Sequence, residues 1–211
     1  MKETKRTSIN VFGTRPKDSI FLPQVPFSLR NDCKVGMWKV GEEDYRGKEI
    51  EISIIKVAQF FGTLGKTVNS PWLQIWFVPA PECEGLPKNT VCVTYLKRRS
   101  IAQFSQIVTE LMELGEPALG IFRGFFIKHT GELGDYYSVT WLWRERETEE
   151  ELKQLDLIAN FLATNPKLLD MSVNLIPLDG FSPEEVEIIM ASAKTEEAQG
   201  NKRVPVLAPS R

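Results

Sequence analysis

With 211 residues, a net charge of −2 and a single histidine, the chain has room for one domain of ordinary size with tails, and it is not basic enough to hold a polyanion by bulk charge. Its mix of apolar and charged residues excludes a collagen-like or wholly disordered class. The three cysteines, Cys33, Cys83 and Cys92, form no Cys-x-x-Cys pair; this opposes a disulfide framework or zinc knuckle and fits a reducing, cytoplasmic setting.

The charge is unevenly distributed. From Met1 to Arg146 there are 20 basic and 16 acidic residues; from Glu147 to Glu197 there are 3 and 12. A mildly basic body thus carries an acidic extension. That asymmetry fits a nucleic-acid face with an acidic appendage, and it equally fits helices kept soluble by glutamate. Residues 1–14 lack the apolar segment of a secretory signal, and no stretch reaches the roughly 20 apolar residues of a membrane span, so no membrane partner is expected.

In chain order, residues 1–26 read as a flexible N-terminal tail, because Pro16, Pro23 and Pro26 oppose both helix and ladder hydrogen bonding. Phe21 and Leu22 remain able to dock on the body. Lys34–Val40 alternates weakly, as a first strand would. Glu49–Phe61 is the longest strand candidate, with Ile50, Ile52 and Ile54 on one face. Its other face turns apolar from Ile55, which suggests a bulge or a bend. Gly62 to Pro71 reads as a loop. It is no phosphate-binding loop, since its glycines are three apart and a strand follows where that motif needs a helix. Trp72–Val78 and Thr90–Leu96 are the next strands.

Ser100 opens a helix that runs to Leu114, with Gln103 at the capping-box position and Ile101, Phe104, Val108, Leu111 and Met112 at helical spacing. A hairpin follows, Gly120–His129 and Tyr136–Arg144, with the turn at Thr130–Asp135. Thr148 and Glu151 form a second capping-box pattern, and Leu152, Leu155, Ala159 and Leu162, helped by Ile158 and Phe161, are the stripe expected to be buried. Met171–Ile176 is a short strand candidate. Ser182-Pro183 opens a third helix running to about Ala193. The chain therefore divides into a tail (1–26), a β-rich body (27–146), acidic helices packed on it (147–193) and a disordered tail (194–211).

The fold class is α+β and β-rich: either a small OB-like barrel or a strongly bent antiparallel sheet, with a helix between strands and further helices at the C-terminal end. In element order over residues 27–146, a strand meander, a helix and two more strands, the chain resembles the OB-fold single-stranded-DNA-binding proteins. No sequence motif carries the resemblance.

The chemistry points to binding. His129 is the only histidine and has no histidine or cysteine near it in sequence, and Glu149–Glu151 is explained by the dipole at a helix start. No enzyme constellation, cofactor or metal site is expected. Single-strand binders combine a basic groove with aromatic faces on which bases stack. Lys97, Arg98 and Arg99 are consecutive, and Arg123 and Lys128 lie on the first hairpin strand; these five are the candidate phosphate contacts. Trp72, Trp76 and Tyr136 are the candidate stacking residues, while Trp141 and Trp143 are assigned to the core. The expected partner is single-stranded nucleic acid. The alternative is an assembly module whose aromatic hairpin forms a subunit interface, with edge strands able to pair into a homodimer.

Overall fold

The computed structural model describes residues 18–170, apart from Lys66 and Leu133, together with Ile176 and Pro177. The third helix and the tails at 1–17 and 194–211 lie outside the described residues. In order, the strands are β1 (Phe27–Ser28), β2 (Arg30–Asp32), β3 (Met37–Val40), β4 (Asp44–Gly47), β5 (Glu49–Leu64), β6 (Thr67–Pro79) and β7 (Cys92–Leu96). Helix α1 (Arg99–Leu114) precedes β8 (Ile121–Gly131) and β9 (Gly134–Arg144), and α2 (Glu149–Thr164) precedes β10 (Ile176–Pro177).

The fold is α+β and β-rich. Six strands form one mixed sheet in the order β1-β7-β6-β5-β8-β9, with β10 beside β5; β2, β3 and β4 form a smaller antiparallel sheet. All pairings in the large sheet are antiparallel except β1 with β7. The closed barrel is not formed: among the described residues no ladder joins β7 to β9. Residues 27–33 run between them instead. Leu29 N donates to Val93 O of β7, Asn31 Nδ2 donates to Tyr95 O at 2.7 Å, and Tyr137 N of β9 donates to Cys33 O at 2.8 Å.

The central hairpin is longer than its sequence suggests. β5 has 16 residues and β6 has 13, so the expected loop from Gly62 to Pro71 is mostly ladder, with Gly62 opposite Ser70. Pro71 sits within β6, opposite Phe61. It is tolerated because β7 begins to pair with β6 only at Leu73, which leaves one side of β6 without a ladder at Pro71. The register of β5 against β6 shifts at Ile55, where the sequence changes its alternation. Before the shift Ile50 and Ile52 face one core; after it Ile55 faces the other.

Two cores result. Every residue from Ser70 to Ala80 is buried, so β6 is covered on both faces. Leu73, Ile75 and Phe77 pack with Trp38, Ile50, Ile52, Ile101, Phe104, Phe122 and Trp141 on one side. Trp76 and Val78 pack with Ile20, Val91, Val93, Ile158 and Phe161 on the other. The first core is dense in aromatic edges: Trp38 and Phe104 approach Trp141 at 6.1 and 5.8 Å between centroids. Ile20, within the expected tail, is buried in the second core, and Phe21 bridges to Thr90.

Both helices depart from their expected contacts. Ser100 is not the cap of α1: the helix begins at Arg99, and Arg98 takes the cap position with no side-chain bond. The Ser100 hydroxyl instead accepts from Val139 N at 2.9 Å, and Gln103 accepts from Ser138 Oγ at 2.7 Å. The open edge of β9 competes for these groups and wins, because an unpaired buried N–H costs more than an uncapped helix end. In α2 the Thr148–Glu151 capping box is present, but the buried face is Glu151, Gln154, Ile158 and Phe161, while Leu152 is half exposed. A hydrophobic stripe could not reveal this, because two of the four buried side chains are polar and are buried by virtue of their partners. Gln154 Nε2 donates to Pro79 O at 3.0 Å. Glu151 accepts from Arg144 Nη2 at 2.6 Å and from Glu147 N at 2.7 Å, and Arg144 also reaches Glu51 at 2.7 Å. The charged run Arg144–Glu147 is thus tied to Glu51 and Glu151, not paired internally.

Two stability predictions follow from these contacts. A Cβ at Gly120 would lie 2.3 Å from the Trp143 indole and 2.5 Å from Arg144 O, one of which is backbone. Gly120→Ala should lower the unfolding free energy by about 1–3 kcal/mol in urea titration, and a neutral result would contradict the packing of Trp143. The hydrogen bonds from Arg144 hold the Glu151 carboxyl down at about 2, from a usual 4.5. A depressed carboxylate stabilises the fold above its unfolded pKa and loses that contribution as pH falls through its folded one. Urea midpoints should therefore fall between about pH 4.5 and pH 2, and Glu151→Gln should flatten that fall while costing about 3 kcal/mol at neutral pH.

Candidate functional site

β7 ends at Leu96 and α1 starts at Arg99, so Lys97 and Arg98 form the corner between strand and helix. Arg98 has φ of 51°, a positive value that residues other than glycine rarely adopt. This turn swings Arg98 and Arg99 into solvent while Lys97 lies half-buried along the sheet. Lys97 Nζ donates to Thr67 Oγ1 at 3.1 Å and sits 5.8 Å from the centroid of the Trp72 ring. Arg99 Nη1 donates to the Tyr136 hydroxyl at 3.4 Å. The corner thereby lies between two turns: the β5–β6 turn, reached through Thr67, and the β8–β9 turn, reached through Tyr136. A Cβ at Gly131 would meet the Tyr136 ring at 3.4 Å.

Lys34 completes the cluster. Its neighbour Cys33 accepts from Tyr137 N at 2.8 Å, which carries residue 34 to the same end of β9. Burial lowers the Lys97 ammonium pKa; Cys33 opposes that, and the charges of Arg98 and Lys34 add to it. Among the described residues, Lys34, Lys97, Arg98 and Arg99 form no ion pair, whereas Arg30, Lys39, Arg46, Arg123, Lys128, Arg144 and Lys153 each have a carboxylate partner. The first turn of α1 holds no acidic residue, so the positive end of its dipole adds to the same field.

The candidate residues named from sequence separate into two groups. Lys97, Arg98, Arg99, Trp72 and Tyr136 come together at this corner. Arg123, Lys128 and Trp76 do not. Arg123 is six residues from His129 along β8, about 20 Å of strand, and is bonded to Glu49. Lys128 pairs with Asp135 at 2.6 Å on the opposite face of the hairpin from Tyr136, as strand alternation requires. Trp76 is 2% exposed inside the second core and presents no open ring face. Trp72 is 6% exposed, its indole N–H donating to Gly62 O at 3.1 Å, and Lys97 lies over its ring. Tyr136 is the aromatic of the three with substantial exposed surface.

Sequence reasoning missed two members of the corner. Lys34 lies far from Lys97 in sequence, and only the passage of residues 27–33 between β7 and β9 brings it near. His129 was placed at the end of the first hairpin strand but given no role; it lies in β8, with its ring 5.1 Å from that of Tyr136. Its register opposite Tyr136 was visible once the hairpin was drawn. Elsewhere, the three cysteines are free, and among the described residues no group of three or more metal-ligating side chains exists. No helix among them is long and apolar enough to cross a membrane. No family model matches the chain, and no match to it was found among curated proteins or solved structures.

Cys33 reports on the corner's electrostatics. Burial pushes its thiol up to about 11, against the opposing pull of the Lys97 charge. At mildly alkaline pH its thiolate should be about a hundredfold scarcer than that of a free cysteine, and its alkylation, followed by mass spectrometry, correspondingly slow. Alkylation faster than free cysteine would mean that the cationic field outweighs burial there.

Proposed function

We propose that the protein is a non-enzymatic nucleic-acid-binding protein that prefers single strands and holds them at the basic corner. The observation that carries the reading is the gathering of Lys34, Lys97, Arg98 and Arg99, without carboxylate partners among the described residues, beside the partly exposed Tyr136 ring. Unpaired like charges repel one another, so a cluster of four is stabilised by an incoming polyanion. Phosphates would lie against the guanidinium and ammonium groups, with a base on Tyr136.

The strand order supports an OB-like reading of the body. Counted from β5, helix α1 falls between the third strand and the fourth. OB-folds are partly open barrels that bind oligonucleotides through the face of strands two and three and the loops between strands one and two and between four and five. In this chain those loops are the β5–β6 and β8–β9 turns, the two that flank the corner. The aromatic hairpin, by contrast, gives Phe122 and Trp141 to the core, which leaves less of it for a subunit interface.

The test is fluorescence anisotropy of a labelled oligothymidine over a range of salt. For single strands the slope of log affinity against log salt is about −0.7 per phosphate contact, so four contacts give a slope near −3. The triple substitution Lys97→Ala, Arg98→Ala, Arg99→Ala should weaken binding and bring the slope to about −1, while the urea midpoint stays close to that of the parent. A folded protein with no binding at low salt, or a slope unchanged by the triple substitution, overturns the reading.

A further inference from the structure

The chain's one histidine borders the corner, and the reading above gives it no task. The His129 ring packs on Tyr136, whose hydroxyl accepts from Arg99, so Arg99, Tyr136 and His129 form one contiguous surface. His129 Nε2 lies 2.6 Å from Ser138 Oγ. The Ser138 hydroxyl gives its proton to Gln103 Oε1 at 2.7 Å, so its oxygen accepts and Nε2 carries the hydrogen. Nδ1 is left without a partner among the described residues. In the neutral ring it offers only a lone pair; in the protonated ring it offers an N–H and a positive charge.

The groups that face the ring are few. Arg99 approaches from α1, while β9 presents the neutral Tyr136 and Ser138. On β8, Lys128 and Thr130 belong to the other face of the hairpin, where both engage Asp135. The ring therefore meets a cation and no carboxylate. Burial and then Arg99 hold its pKa below the ordinary histidine value in the free protein.

We propose that His129 is a proton-linked phosphate contact: a phosphodiester bound at Arg99 receives a second charged donor from the protonated imidazole, so nucleic acid binds more tightly as the ring takes up its proton. The proposal rests on the binding reading above. An anion beside the ring raises its pKa, and by reciprocity protonation raises affinity by the same factor. The added affinity is fully present below the free-protein pKa and is lost as pH rises through the bound one. As the chain holds one histidine, no second imidazole can produce this signature.

The test uses the full chain and oligothymidine, whose bases do not titrate in this range. Anisotropy at low salt should show affinity rising about three- to tenfold from about pH 8 to about pH 5.5, a rise that His129→Gln abolishes. Proton NMR of the one imidazole, with and without saturating oligothymidine, should give a pKa increase of about 0.5–1, the same factor read from the other side. An equal rise in His129→Gln, or an imidazole pKa unmoved by bound oligothymidine, overturns the proposal. If the parent binds with a steep salt slope but a flat pH profile, His129 has no such role and the binding reading stands. Absence of binding at every pH removes both.

Discussion

The structure depends on one constraint, that β6 is buried on both faces. From Ser70 to Ala80 every residue is buried, so the strand must be covered twice. One cover is α1 with the inner faces of β5, β8 and β9; the other is α2 with Ile20 and the strand leading to β7. A strand covered twice reads as a continuous apolar run, and Trp72–Val78 has that character apart from Gln74. Burial of this kind leaves no charged residue in β6 and leaves the strand ends as places where exposed cations can collect.

The ends differ. At one end of β5, Glu51 and Arg144 fasten α2 through the buried Glu151, so charge there is neutralised within the fold. At the other, where β7 passes into α1, Lys97, Arg98 and Arg99 meet no carboxylate among the described residues. The fold thus uses charge in two ways: paired and half-buried to hold a helix, and unpaired and exposed to form a field. Only the second is available to a ligand, because a paired charge has already given up its hydration and its freedom.

Much of the fold was legible from sequence. The alternation change at Ile55 marked a true register shift, and the strand–helix–hairpin order was correct, because local periodicity and turn chemistry act within a few residues. What was hidden depended on distant partners. Of the buried face of α2, Ile158 and Phe161 were legible in the apolar pattern, but Glu151 and Gln154 were not, because they are buried by hydrogen bonds to Arg144 and Pro79. Ser100 looked like a cap until β9 offered it a buried N–H. Of the candidate contacts, the consecutive Lys97–Arg99 survived as a cluster, whereas Arg123 and Lys128 were lost to Glu49 and Asp135 across the sheet. Charge counted along a chain does not show which charges are already paired in space.

The central claim is that the unpaired corner between the two turns is the binding surface. The most direct test is backbone amide chemical-shift mapping of the full chain titrated with oligothymidine. Perturbations should concentrate at Lys97–Ile101, Thr67–Ser70 and Asp135–Tyr137. Perturbations confined to the groove between Asp18–Leu22 and the C-terminal half of α2, or none at saturating oligonucleotide, would contradict it.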